Sequence, residues 1–115
     1  MTPEGCVLKA IQDLLAAERI FYGRLNTSAP RRIKGVYVPA PHGFGLGTAD
    51  ILAFPPPYIL WIEAKATKNV QSELQKEFQR RVEKIPAHYY LLARSSDDVW
   101  DWLRAHRVVL NPVIR

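Results

Sequence analysis

The 115-residue chain contains a single cysteine, Cys6, and no apolar run long enough to cross a bilayer. A lone cysteine forms no internal disulfide and builds no thiolate zinc site. A membrane helix needs about 20 consecutive apolar residues, and none is found. The N-terminus, MTPEGCVLKAIQDLL, carries Glu4 and Asp13 and lacks a cationic start followed by an apolar block. No signal peptide is therefore expected, and the chain reads as intracellular, cytoplasmic or nucleoid-associated. The three histidines, His42, His88 and His106, lack metal-ligand spacing. The loop His42-Gly43-Phe44-Gly45-Leu46-Gly47 misses the G-x-G-x-x-G spacing and leads into a predicted strand, so no nucleotide cofactor is expected.

What is present is ordinary globular composition, 48% hydrophobic and 23% charged, at a length that fits one domain over residues 1–115. Sixteen Lys and Arg face eleven Asp and Glu, a net charge of +5. The excess concentrates in residues 65–84, where Lys65, Lys68, Lys76, Arg80, Arg81 and Lys84 outnumber Glu73, Glu77 and Glu83. Arg31, Arg32 and Lys34 form a smaller cluster in a preceding loop region. Runs of this kind are commonly solvated faces. Contact with phosphate backbones is the sharper alternative, and it requires a chemical site nearby.

Thr2-Pro3-Glu4 has the pattern of a helix start, and Val7, Ile11, Leu14 and Leu15 predict a helix from Pro3 to Glu18. Short strands are predicted at Ile20–Tyr22, ending near Gly23, and at Val36–Val38, with Asn26 to Pro30 as loop. Thr48–Phe54 and Tyr58–Ala66 read as central strands joined by Pro55-Pro56-Pro57. Ser72–Lys84 is predicted helical, with Leu74, Phe78, Val82 and Ile85 as its apolar stripe. His88–Ala93 is a further strand, and Ser95 or Ser96 starts a last helix running to His106. Trp100 and Trp102 lie about 200° apart on that helix and are not expected to share one buried face. The order of elements predicts a mixed α/β domain built around one sheet.

Asp50, Glu63 and Lys65 interrupt the two central strands. Strand alternation puts Glu63 and Lys65 on one face, and the proline turn can bring Asp50 beside them. Burying such groups costs several kcal/mol unless they are paired or bind a metal. One solution is a salt-bridged network. The other is a hard divalent cation that relieves carboxylate repulsion, with the lysine serving an attacking water. In the next helix Gln71, Gln75 and Gln79 recur every four residues beside the apolar stripe. Gln75, at the core boundary, is placed to order a water or phosphate near Glu63, whereas Gln71 and Gln79 read as surface filler.

GTADILAF, WIEAKA, QSELQKEFQRR and HYYLLARS follow one another in this order, with Glu4 opening the first helix and RLNTS (24–28) following it. Asp50 stands thirteen positions before Glu63, and Ser72 and Gln75 supply an S-x-x-Q. This combination, from Glu4 to Trp102, resembles the VRR-NUC branch of the PD-(D/E)XK nuclease superfamily. Thr48-Ala49 precedes Asp50 where that superfamily often has a proline. The resemblance implies a restriction-endonuclease-like central mixed β-sheet flanked by helices, and phosphodiester hydrolysis with Mg²⁺ or Mn²⁺. By position, Asp50, Glu63 and the backbone carbonyl of Ala64 would ligate the metal. Lys65 would serve the nucleophilic water, and Gln75 and Glu4 would be accessory. Stand-alone members look like structure-selective nucleases, some acting on four-way DNA junctions as homodimers. Arg31, Arg32, Lys34, Lys68, Lys76, Arg80 and Arg81 are then the expected DNA contacts. A binding module that keeps the fold without cutting, and a structural domain with an ion-paired triad, are the competing expectations.

Overall fold

A computed structural model describes residues 1–25, 31–38, 44, 47–106 and 108, with residues 31–33 and 37–38 described in their backbone alone. The expected loop at 26–30, Pro39, Pro41, His42, most of the glycine loop and the tail from Val109 lie outside the described residues.

The elements are α1 (Pro3–Ala17), β1 (Tyr22–Arg24), β2 (Arg31–Ile33), β3 (Val36–Val38), β4 (Ile51–Ala53), β5 (Ile59–Ala64), α2 (Glu73–Glu83), β6 (His88–Ala93) and α3 (Ser96–Ala105). A four-stranded mixed sheet runs in the order β1-β4-β5-β6. β1 pairs antiparallel with β4, β4 antiparallel with β5, and β5 parallel with β6. Among the described residues the fold is thus a small mixed α/β domain with three helices. Among the described residues no helix is long and apolar enough to cross a membrane.

Strand alternation in β5 splits the interior into two layers. Leu60, Ile62 and Ala64 join Ile11 and Leu15 of α1 and Val99 and Leu103 of α3. Trp61 faces the other way, with Ala49, Tyr90 and the α2 residues Phe78 and Val82. β5 is therefore covered on both faces, which is why its sequence is nearly continuous in apolar residues. Of the stripe expected on α2, only Phe78 and Val82 are buried; Leu74 and Ile85 at its ends remain 49% and 45% exposed. Trp100 and Trp102 both pack at the margin of the α1–α3 layer, and Trp102 stacks on His106 at 3.8 Å. His88 accepts the Trp61 indole N–H at 3.0 Å and so has a packing role.

Besides β5, which spans Ile59–Ala64 rather than Tyr58–Ala66, three elements differ from the sequence expectation. The first strand begins at Tyr22, and Gly23 lies within it, paired with Leu52. The cause is the end of α1: Arg19 adopts a left-handed conformation, its N–H bonds the Ala16 carbonyl, and the Ile20 N–H bonds that of Leu15. This Schellman closure uses Ile20, so strand pairing starts later. Arg31 and Arg32 lie in a strand, not a loop. β2 and β3 form a hairpin whose two turn residues, Lys34 and Gly35, both have positive φ, as a tight two-residue turn requires.

The third difference is β4, which spans Ile51–Ala53 rather than Thr48–Phe54 and leaves Asp50 just before the strand. The chain enters through Gly47 at φ +82, where an added Cβ would lie 2.5 Å from the Leu74 backbone. Phe44 also holds this approach, edge-on to Trp61 with ring centroids 4.9 Å apart. Gly47→Ala is expected to destabilise the fold by at least about 2 kcal/mol through strain and displacement of the α2 start. A lower urea midpoint would record it; an unchanged midpoint would show that α2 yields without cost.

Candidate functional site

β5 ends at Ala64, and its last residues present their backbone groups alternately to the two neighbouring strands. Ile59 and Lys65 donate toward β6, to the carbonyls of Ala87 and Ala93. Ile62 and Ala64 face the β4 side: the Ile62 carbonyl accepts the Asp50 N–H at 2.9 Å, and the Ala64 N–H is bonded to Asp50 Oδ2 at 2.8 Å. The Asp50 carboxylate thus takes the place of the backbone carbonyl that a longer β4 would have offered. A strand residue directs its N–H and C=O to the same side, so the Ala64 carbonyl also lies on the β4 side. Asp50 and the Glu63–Lys65 segment are brought together at one end of the sheet.

Glu63 is the more enclosed carboxylate, 3% exposed on the α2 face. Both its oxygens accept hydrogen bonds. Gln75 Nε2 donates to Oε2 at 2.9 Å, and the Tyr90 hydroxyl donates to Oε1 at 3.1 Å. Gln75 is fixed by the helix itself. Ser72 caps α2, and Gln75 completes the capping box by accepting the Ser72 N–H on Oε1 at 2.9 Å. That bond settles the amide's orientation and turns its NH₂ group toward Glu63. Tyr90 is held in turn by Gln71 Nε2, which donates to its hydroxyl at 3.2 Å and to Gln79 Oε1 at 3.1 Å.

Burial, with repulsion from Asp50 second, pushes the Glu63 carboxyl up to about 7 despite these donors. Burial likewise raises Asp50 above its ordinary value, while the Ala64 N–H, Arg24 and Lys65 act to lower it. Tyr90 is also raised, chiefly by burial and then by the Glu63 charge. Two carboxylates are therefore held close together at an energetic cost that the surrounding protein only partly offsets.

Lys65 lies one residue beyond β5, its side chain 12% exposed, with Nζ 3.9 Å from Glu4 Oε1. Glu4 reaches this end of the sheet from the first turn of α1, where Pro3 and the Thr2 cap set the helix start. Asn69 Nδ2 donates to the same Glu4 oxygen at 2.7 Å. The expected set of Asp50, Glu63, Lys65, Gln75 and Glu4 is thus gathered at one place. Gln71, Tyr90 and Asn69 belong to it as well. Gln71 and Gln79, read from spacing as filler, are linked to each other, and Gln71 joins the Glu63 network. Tyr90 and Asn69 carried no signal in the sequence, because their roles depend on β6 and on the loop after β5.

The basic residues are more dispersed. Lys76 pairs with Glu73 at 3.3 Å and Arg81 with Glu77 at 3.7 Å along the exposed side of α2, and Arg80 is exposed beside them. Lys68 is exposed after β5, and Lys34 is exposed at the β2–β3 turn. The side chains of Arg31 and Arg32, and with them the contacts expected of them, lie outside the description.

Comparison with protein-family models, with curated proteins and with solved structures found no match.

Proposed function

We infer that the protein is a metal-dependent nuclease that hydrolyses phosphodiester bonds in DNA, selectively in branched forms such as four-way junctions. The observation that carries this reading is the convergence of Asp50 and Glu63, both with raised carboxyl pKa values, on a strand end that also carries Lys65. A purely structural ion-pair network would be expected to pair each carboxylate closely with a cation. Here Glu63 is bonded to an amide and a phenol, and the ion pair of Lys65 among the described residues is with Glu4, at 3.9 Å. The helix–three strands–helix–strand order around β1-β4-β5-β6 supports a restriction-endonuclease-like fold.

The donor chemistry fits Mg²⁺ or Mn²⁺. Among the described residues no three His, Cys, Asp or Glu side chains are grouped to enclose a metal. The fitting set is Asp50, Glu63 and the Ala64 carbonyl, all oxygen donors. Mg²⁺ is commonly held by one or two carboxylates, with water and substrate phosphate completing its shell. The ion when bound would polarise the phosphate and acidify a water. Gln75 and Tyr90 keep the Glu63 oxygens aimed. Lys65 Nζ, tethered by Glu4, orients the attacking water and faces the charge that develops on phosphorus. Each chain holds one such site, so symmetric two-cut resolution of a junction calls for a homodimer.

The test is incubation with linear, forked and four-way DNA in Mg²⁺, Mn²⁺ and EDTA. Metal-dependent product with a preference for branched DNA is expected. Binding without product in any metal would favour the alternative reading, a non-catalytic nucleic-acid-binding module, and neither binding nor product would leave a structural domain. Replacing Lys76, Arg80 and Arg81 together by alanine is expected to weaken DNA binding and to flatten its dependence on salt, by up to about three counterions in the logarithmic slope. An unchanged slope would move the DNA track off α2.

A further inference from the structure

Arg94 immediately follows β6, and the pairing of Ala64 with Ala93 and the Lys65–Ala93 backbone bond set it alongside Lys65. Among the described residues its guanidinium forms no ion pair with a carboxylate. Nη1 donates to three backbone carbonyls of one loop, those of Ala66 at 2.7 Å, Thr67 at 3.2 Å and Asn69 at 2.8 Å. That loop joins β5 to α2 and is closed by a turn in which the Asn69 N–H bonds the Ala66 carbonyl at 3.0 Å. The Arg94 backbone is itself fixed, its N–H donating to Asp98 Oδ2 at 2.8 Å in the first turn of α3.

We propose that Arg94 is a positioning residue for Lys65, acting through the turn it clamps. A cationic nitrogen gathering three carbonyls locks the turn more firmly than the single turn bond would. The locked turn presents the Asn69 amide to Glu4 at 2.7 Å, and Glu4 is the carboxylate that faces Lys65 Nζ. Without the clamp Asn69 withdraws, Glu4 swings on its partly exposed stem, and Lys65 loses the partner that fixes its direction. Lys65 also directly follows Ala64 and precedes Ala66, so movement of the turn reaches its backbone. The inference rests on the nuclease reading for its consequence in catalysis, but its structural content does not.

Two measurements separate these parts. The first is the ¹³C signal of the Lys65 ε-methylene in lysine-labelled protein, identified by its loss in Lys65→Ala. It is expected to shift in Arg94→Ala and in Asn69→Ala, and to stay near its parent position in Arg94→Lys. Asn69 is exposed, so its variant keeps the test open if Arg94→Ala fails to fold. An unmoved signal in a folded Asn69→Ala protein overturns the proposal, whatever the protein does to DNA.

The second is kinetic. Arg94→Ala is expected to lower kcat by about 10²-fold with KM for DNA and Mn²⁺ affinity unchanged, Arg94→Lys to recover most of that loss, and Lys65→Ala/Arg94→Ala to be no slower than Lys65→Ala alone. A further drop in the double variant would show Arg94 acting elsewhere and would also overturn the proposal. Absence of cleavage by the parent protein would instead remove the nuclease reading, while the lysine signal still decides the clamp.

Discussion

Lys65→Ala is expected to slow DNA cleavage by about 10²- to 10⁴-fold while leaving DNA binding largely intact. The two effects separate because of where the side chain sits. Lys65 is recessed, 12% exposed at the side chain, beside Glu4, and its charge partly offsets those of Asp50 and Glu63. A recessed cation adds little to a backbone-binding surface made by exposed groups such as Lys68, Lys76 and Arg80. It adds much where a phosphate passes through a more negative transition state in a partly desolvated site, and where an attacking water needs a directed partner. Removing either contribution costs on the order of 10² to 10⁴ in rate. Single-turnover cleavage of a labelled four-way junction, with fluorescence anisotropy of the same junction in EDTA, measures both quantities. Cleavage at the parent rate would show that Lys65 takes no part in the chemistry. Loss of binding in parallel with cleavage would place it among the phosphate contacts.

The three ionisable residues stood out in the sequence because charge inside an apolar strand must be explained locally. Asp50, Glu63 and Lys65 interrupt the apolar runs predicted as central strands, and no tertiary information is needed to see it, although only Glu63 lies within a strand of the structure. The same holds for β6, found at its expected limits, and for α2, whose Ser72 cap and apolar stripe are short-range signals. What stayed hidden was set by partners distant in the chain. β4 is short because Asp50 bonds Ala64, fourteen residues away, and because Gly47 meets Leu74. Tyr90 looks like any strand aromatic until β6 pairs with β5 and its hydroxyl meets Glu63, 27 residues earlier. Arg94 reads as an ordinary surface cation, and its three acceptors are backbone carbonyls, which leave no mark on side-chain pattern. The S-x-x-Q at Ser72 and Gln75 could have been read further. It is a capping-box signature, and the box predicts the amide orientation that turns Gln75 toward the site.

Asp50→Asn is expected to eliminate Mn²⁺ binding and at the same time to stabilise the metal-free protein at pH 8. The asparagine carbonyl can still accept the Ala64 N–H that Asp50 Oδ2 now takes, so the end of β4 is preserved. What disappears is a buried charge and its repulsion of Glu63. In the parent protein burial first, and Asp50 second, raise Glu63 from 4.5 to about 7. Between those two values the folded protein holds more protons than the unfolded chain. The Glu63 contribution to stability is therefore expected to fall as pH rises from about 4.5 through 7, by about 3 kcal/mol, and then to level off. In the variant the Asp50 contribution is gone, Glu63 titrates lower, and the decline is shallower. The difference between the two proteins should be negligible near pH 4 and reach on the order of 1 kcal/mol at pH 8. Urea unfolding in EDTA at the two pH values measures it, and Mn²⁺ calorimetry at pH 8 measures the lost site. Unchanged Mn²⁺ affinity would put the ion elsewhere. A variant less stable than the parent at pH 8 would mean that the Asp50 charge is stabilised by its surroundings, and the pair would then be a structural ion network rather than a site under strain.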